Sequence, residues 1–234
     1  MENEPSTIVP CVDTLAINGD GEVHAHTEEI TEALPPADAL EIQFEGNERF
    51  NANLKANRNR LQQENETRDG SFPSPTFHSC IGSGTSTEQF FEQGLGELFS
   101  GRIAGIYLSE DIRGSLGFAS RIAGAKHIVL LGHSRCDAIK GACDNVELGH
   151  LAGMLRKIAP AVDSVVGSID AALCTSDNEK LDDAAATENE WRRAKAIPER
   201  SGVLQEMKAA GEIEVVGGFY EVTNGLGEGL PWSR

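Results

Sequence analysis

The chain has 234 residues, a formal net charge of −17, 24% charged residues and only 6% aromatic ones. That length suits one α/β domain with a sizeable core and would leave a second independent domain cramped. The acidic balance repels phosphate backbones and anionic lipid, so neither nucleic acid nor a membrane is an expected partner, and no run approaches the ~18 apolar residues of a span.

The N-terminus begins Met-Glu-Asn-Glu, with no basic stretch ahead of an apolar run, which argues against a secretory signal. The cysteines are Cys11, Cys80, Cys136, Cys143 and Cys174, an odd and unevenly spaced set. They do not read as a disulfide framework and point to a reducing compartment, the cytoplasm.

Residues 1–34 are acidic and weakly periodic and are expected to form an irregular arm. The His24-x-His26 pair in it has no cysteine nearby and reads as part of a flexible tail. From 35 to 234 a single domain is expected. Pro36 suits the first turn of a helix whose apolar residues Ala39, Leu40, Phe44, Phe50 and Leu54 share one face. Residues 56–72 are polar and read as an extended linker or surface segment.

The core begins near residue 75. "PTFHSCIG" reads as a short buried strand ending in a glycine-rich turn, and "STEQFFEQGL" as a short capped helix. "ELFSGRIAG" is a second strand, and "SEDIRGSLGFASRIAG" a helix with a capping box at Ser109. "HIVLLGHS" is almost purely aliphatic and ends in glycine, the strongest strand signal in the chain. "CDAIKGACDN" starts another helix, and "HLAGMLRKIAPAVDSVVGSI" is amphipathic and helical. Residues 175–190 read as a loop or frayed helix end, after which "NEWRRAKAIPERSGVLQEMKAA" is helical apart from Pro198. "EIEVVGGFYEV" closes with a strand. Strand and helix alternate, so the expected fold is α/β, a mostly parallel central sheet flanked by helices.

The chemistry concentrates at His133-Ser-Arg-Cys136, just after the aliphatic strand. In an open α/β sheet, ligands bind at the carboxyl ends of the strands. A histidine and a cysteine three apart across a strand-to-helix turn can aim at one point, and imidazole with thiolate suits Zn²⁺. Cys80 also ends a strand and could be brought alongside as a third ligand. Three protein ligands with one open position is the pattern of a catalytic zinc. Spacing alone leaves a plainer alternative, a core histidine beside a buried thiol.

The surrounding segments resemble the β-carbonic anhydrases. "IVLLGHSRCDAIKGA" is similar to that family's strand-end zinc motif. "FEQGLGELFSGRIAG" and "DIRGSLGFASRIAGAKHIVLLGH" resemble its central strand and helix, "EGNERF" a helix near its N-terminus, and "IPERSGVLQEMKAAGEIEVVGGFYEVTNG" its C-terminal helix and closing strand. The resemblance runs in order over about residues 40 to 225. It implies Cys80, His133 and Cys136 as the zinc ligands and hydration of CO2 to bicarbonate as the reaction. It also implies a homodimer or higher homo-oligomer in which the N-terminal helix lies on the neighbouring subunit.

One departure bears on catalysis. The family's Cys-x-Asp-Ser-Arg appears here as Cys80-Ile-Gly82-Ser-Gly84, so the acidic and basic side chains of its catalytic pair are both missing. Two glycines also loosen a loop. Ile106 stands where the family usually has Asn, and Arg135 and Asp137 flank Cys136 where it prefers a small residue and Gly. Arg135, Asp137 or His78 are the residues that could compensate; the plainer reading makes them solvated helix-start residues and a non-ligand histidine. No catalytic residue is assigned. His127, His150, Cys11, Cys143 and Cys174 read as structural. Two functions stay open: a zinc enzyme acting on CO2 or a related small electrophile such as carbonyl sulfide, and a non-catalytic zinc protein with a structural or ligand-binding role.

Overall fold

The computed structural model describes residues 22–167, 175 and 177–230. Five strands form one sheet: β1 (Pro75–Ser79), β2 (Phe99–Arg102), β3 (His127–His133), β4 (Glu214–Glu221) and β5 (Leu226–Leu230). Their order is β2-β1-β3-β4-β5, with every pairing parallel except the last. The mostly parallel α/β sheet is as expected. β5 was not: its signal was Asn224-Gly225, a turn pair that returns the chain antiparallel, with Gly225 at φ 75°.

The central strand explains the layering. All seven residues of β3 are buried, the signature of a strand covered on both faces. Ile128 and Leu130 face one side and pack with Leu116 of α5 (Glu110–Arg121), Ile197 of α9 (Glu179–Glu199) and Leu204 of α10 (Gly202–Ala209). Val129 and Leu131 face the other, with Phe77, Phe90, Phe91 and Tyr220. A third cluster surrounds the carboxyl ends of β1 and β3. It joins Cys80 and Cys136 to Ile139 of α6 (Asp137–Cys143), Leu155 of α7 (Gly149–Leu155), Val162 of α8 (Ala159–Val166) and Ala185 of α9.

Several expectations change. Within the arm expected to be irregular, Glu28–Ala33 form α1, capped by Thr27. His24 does not lie in a free tail: its Nδ1 is 2.6 Å from Glu66, while His26 is buried. The polar stretch 56–72 contains α3 (Arg60–Glu66), whose Gln63 donates to Val23 and to the fully buried Glu97. Glu97 also pairs with Arg58. A buried ion pair between these segments is what periodicity cannot display. α9 begins at Glu179, so most of 175–190 is helix; Asn178 caps it and Leu181, Ala185 and Ala186 are buried. α9 carries Pro198 in its last turn and stops at Glu199. The single helix expected around 150–169 is two, α7 and α8, with Pro160 at the start of the second. Ser109 caps α5 by accepting from the Ile112 N–H, but the third helical residue is Ile112, so the reciprocal half of a capping box is missing. The short helix over "STEQFF" is α4 (Thr87–Phe90).

The helix expected to begin at Pro36 is α2 (Pro36–Asn51). Ala39 and Ile42 are buried on the chain's own core, whereas Phe50 and Leu54 stay exposed. Contact with α4 is close: a Cβ on Gly46 would meet the Phe91 carbonyl oxygen at 1.8 Å. Asn47 completes the joint by donating to Phe90 and Gly225 and accepting from Gly227. Among the described residues, no helix is long and apolar enough to cross a membrane.

Candidate metal centre

Neighbouring parallel strands bring the first two thiol and imidazole groups together. Ser79 of β1 pairs with Leu131 of β3, so Cys80, one step beyond β1, stands level with the end of β3 where His133 lies. Arg135 then adopts φ 56°, a left-handed conformation that turns the chain sharply before Cys136. Its backbone N–H donates to Asp183 of α9 at 3.0 Å, which offsets part of that cost. Ser134 anchors the turn to the end of β4: its N–H donates to Tyr220, its hydroxyl donates to Glu221, and the Val222 N–H donates to that hydroxyl.

The result is one buried group of three. The ligand atoms of Cys80, His133 and Cys136 lie within 4.8 Å of one another. Two observations test whether a tetrahedral ion fits. First, the sulfurs are 3.8 Å apart, and two thiolates at the ~2.3 Å of zinc–sulfur bonds would subtend about that distance in a tetrahedron. Second, His133 Nδ1 lies 2.8 Å from the Ser134 carbonyl, to which it donates, while the buried Nε2 has no partner. A backbone acceptor on one nitrogen fixes the tautomer that turns the other nitrogen's lone pair outward, as in metal-ligating histidines. The donor set fits Zn²⁺.

The protonation states agree. Cys80 and Cys136 share a hydrogen bond, which holds the Cys80 thiol far below the ordinary range and pushes Cys136 up, so the first proton leaves easily and the second is retained. Burial opposes charge on His133, but the proximity of the Cys80 thiolate, with help from the Ser134 carbonyl, outweighs it and raises its pKa. The trio thus holds its remaining protons on Cys136 and His133, and a bound dication would displace them, as ligation requires.

Gly82 lies beside the cluster. A Cβ there would stand 3.6 Å from His133 Nε2 and 3.3 Å from Thr85 Oγ1, while one on Gly84 would meet nothing within 4 Å. A side chain at 82 is therefore directed toward the ligands, and its absence leaves space. The loop itself is not loose, as two glycines had suggested. Arg102, at the end of β2, donates through Nε to the Cys80 carbonyl at 2.9 Å and through Nη2 to the Gly82 carbonyl. Thr85 adds bonds to Gly82 from both its N–H and its hydroxyl. Arg102 escaped sequence reasoning because its role rests on two backbone carbonyls some twenty residues away. Its position at a strand's carboxyl end was the available signal.

None of the three residues considered as substitutes belongs to the group of ligand atoms, although the Asp137 charge helps to raise the His133 pKa. Arg135 is half exposed, with its guanidinium 3.4 Å from Glu179; Asp137 is exposed at the start of α6. His78 is buried with Nε2 on the Tyr107 carbonyl at 3.2 Å, outside the cluster. His127 is buried beside Glu214, and Cys143 donates to Asp182. Cys11 and Cys174 fall outside the described residues. Cys80, Cys136 and Cys143 form no disulfide.

Behind the cluster is a cavity of about 10 Å³, roomy enough for one water, lined by the three candidate ligands, Gly132 and, from α9, Ala186 and Asn189. Glu190, the next residue, is fully buried with no charged partner among the described residues, and burial pushes its pKa up to about 9 against a weaker pull from the Gly218 backbone. One oxygen would touch a Cβ on Gly132 at 3.4 Å. Nothing in the local pattern marked Glu190, which sits in a polar helical stretch.

Comparison with known proteins places this geometry. A carbonic anhydrase family model matches residues 76–226, more than half of the chain. Carbonic anhydrase 2 of Mycobacterium tuberculosis is 27% identical over 202 residues, spanning 81% of this chain and 90% of that protein. The carbonic anhydrase of Mycolicibacterium smegmatis is 26% identical over 193 residues, spanning 81% and 91%. The fold is that of the β-carbonic anhydrase CafA of Aspergillus fumigatus, at TM-score 0.64 and 22% identity over 73% of this chain and 81% of that one. A chain from the crystal structures of two tetrameric β-carbonic anhydrases of Sordaria macrospora also reaches 0.64, at 22% identity over 71% of this chain and 85% of that one. The chain belongs to the carbonic anhydrase family, in its β class.

Proposed function

We propose that the protein is a zinc carbonic anhydrase, hydrating CO2 reversibly to bicarbonate, with Cys80, His133 and Cys136 holding the metal. The observation that carries this reading is the unpartnered, buried Nε2 of His133 directed at two thiols 3.8 Å apart. A bound zinc would supply a nucleophile at neutral pH by lowering the pKa of water. The chain's own residues do the rest. Ser134 orients His133, Arg102 and Thr85 hold the Cys80–Thr85 loop, and all three ligands are buried. Gly82 offers no carboxylate to accept a proton or steer an oxygen, so turnover should be below that of an enzyme carrying the Asp–Arg pair. Stopped-flow CO2 hydration by zinc-loaded protein, against a Cys136→Ser control, tests the activity. Equal rates would reject it.

A second reading is favoured by Gly82 and Gly84: a zinc-binding relative without this activity, in a structural or small-ligand role, or one acting on another small electrophile such as carbonyl sulfide. In that case zinc would be retained while CO2 hydration stayed at the control rate. The homo-oligomer reading is supported by exposed apolar side chains, among them Phe50, Leu54, Phe118 and Ile122, and by the tetrameric relatives. A cytoplasmic location accords with the lack of a disulfide among the described cysteines.

A further inference from the structure

We infer that the α8–α9 face carries a binding site for a polyvalent oxyanion of the phosphate class, apart from the metal centre. A groove of about 440 Å³ opens there, lined by Lys157, Arg192, Arg193, Lys195 and Arg200, with Glu199 the one acid, and by the rings of Tyr107 and Trp191. Five cations in one concavity are unexpected in a chain of net charge −17. Electrostatics alone would scatter them among the carboxylates.

Their partners are the decisive point. Arg192 is bound to Glu188, 2.7 Å away. Among the described residues, no carboxylate lies within ion-pair distance of Lys157, Arg193, Lys195 or Arg200. Aromatic faces hold three of the cations instead: Lys157 Nζ is 4.3 Å and the Arg193 guanidinium 5.3 Å from the Tyr107 ring, and Lys195 Nζ is 5.2 Å from the Trp191 ring. A ring orients a cation without neutralising it. Arg193 is fixed further, donating to Asn189 and to the Lys157 carbonyl. Burial lowers its pKa, and the nearby Arg200 and Arg192 charges add to that. The groove thus stores like-charge repulsion on preordered side chains, which an anion would relieve.

Valence follows from the count. With Arg192 paired to Glu188 and Glu199 set against the other four cations, a net charge of about +3 remains, so a monovalent anion would leave most of the repulsion in place. A divalent or higher oxyanion would offer acceptors for ammonium and guanidinium groups together. The concavity exceeds the size of free phosphate, which leaves room for a phosphorylated small molecule over the Trp191 ring.

Isothermal titration of full-length protein with inorganic phosphate, against chloride at equal ionic strength, tests the site. Saturable phosphate binding is expected. Reversing two exposed groove cations, Lys195→Glu with Arg200→Glu, should weaken it by at least about tenfold. Lys55→Glu with Lys208→Glu, an equal charge change outside the groove, should leave it unchanged. Binding no better than the chloride control overturns the inference, as does binding equal in both variants, which would place the anion elsewhere, for instance at the metal centre. Dissociation of an oligomer by the groove variant alone, seen by sedimentation, would make the face a subunit interface and also overturn it.

Discussion

Gly82 faces the free nitrogen of His133: a Cβ on Gly82 would stand 3.6 Å from His133 Nε2, at ordinary van der Waals distance. The residue is close enough to the candidate ligands for a side chain to reach them and offers none. Gly84, two residues on, points into open space. Gly82→Asp with Gly84→Arg should therefore fold and should raise CO2 hydration by about 10–100-fold, the usual value of a group that orients what the metal holds. Stopped-flow assays of the double variant check this. A variant that folds, retains zinc and is no faster than the parent would favour the reading without CO2 hydration.

Metal content is the most direct check on the Cys80, His133 and Cys136 cluster. Purified protein should carry one zinc per chain, and Cys80→Ala with Cys136→Ala should lose it. Chelation should lower the melting temperature, because the metal binds only the folded arrangement of three segments far apart in sequence. Zinc retained in the double variant would sink the assignment.

Arg102 should act on the metal through the backbone. Its guanidinium spans the Cys80 and Gly82 carbonyls, a planar fork that lysine cannot reproduce. Both Arg102→Ala and Arg102→Lys are expected to weaken zinc affinity by about 10–100-fold. Competition with a chromogenic chelator measures this. Unchanged affinity in both would show that the loop holds its shape without the clamp.

Glu190 should make stability fall as pH rises. Burial lifts its folded pKa from 4.5 to about 9, so the folded chain holds this proton more tightly than the unfolded one. The contribution is complete below the unfolded value and is lost as pH climbs through the folded one. The slope between them is at most about 1.4 kcal/mol per pH unit. Glu190→Gln keeps the shape and cannot ionise, so denaturant titrations of the variant from pH 5 to 9 should show a flatter profile than the parent. Parallel profiles would contradict the assignment of the proton to Glu190.

The exposed Phe50, Leu54, Phe118 and Ile122 side chains lead to the expectation of self-association. Sedimentation at micromolar concentration should detect a dimer or larger. A monomer alone would reject it, since obligate interfaces usually exceed about 2,000 Å² and do not dissociate there.

Much of this protein is written locally. The aliphatic run 128–131, stopped by Gly132, reads as a strand covered on both faces, and a parallel strand that ends in Gly-His presents the histidine where such sheets bind ligands. Cys80 obeys the same rule and Cys136 follows three residues after His133, but strand ends alone left a core histidine beside a buried thiol open, and the ligand set came from the family resemblance. The β4–β5 turn was legible too, in Asn224-Gly225, though overlooked. Other features depend on distant partners. Arg102 reads like any strand-end arginine until the Cys80 and Gly82 carbonyls are placed beside it. Glu190 lies in a stretch of charged residues and is buried only because α9 crosses Gly132, where the missing side chain admits it. The arm carrying His24 and the polar stretch 56–72 looked unstructured because Arg58, Gln63 and Glu97 spend their polarity on one another. Periodicity records which face of an element avoids water. It carries no record of polar groups that leave water by finding each other across the chain, and those are what assembled the surroundings of the metal centre.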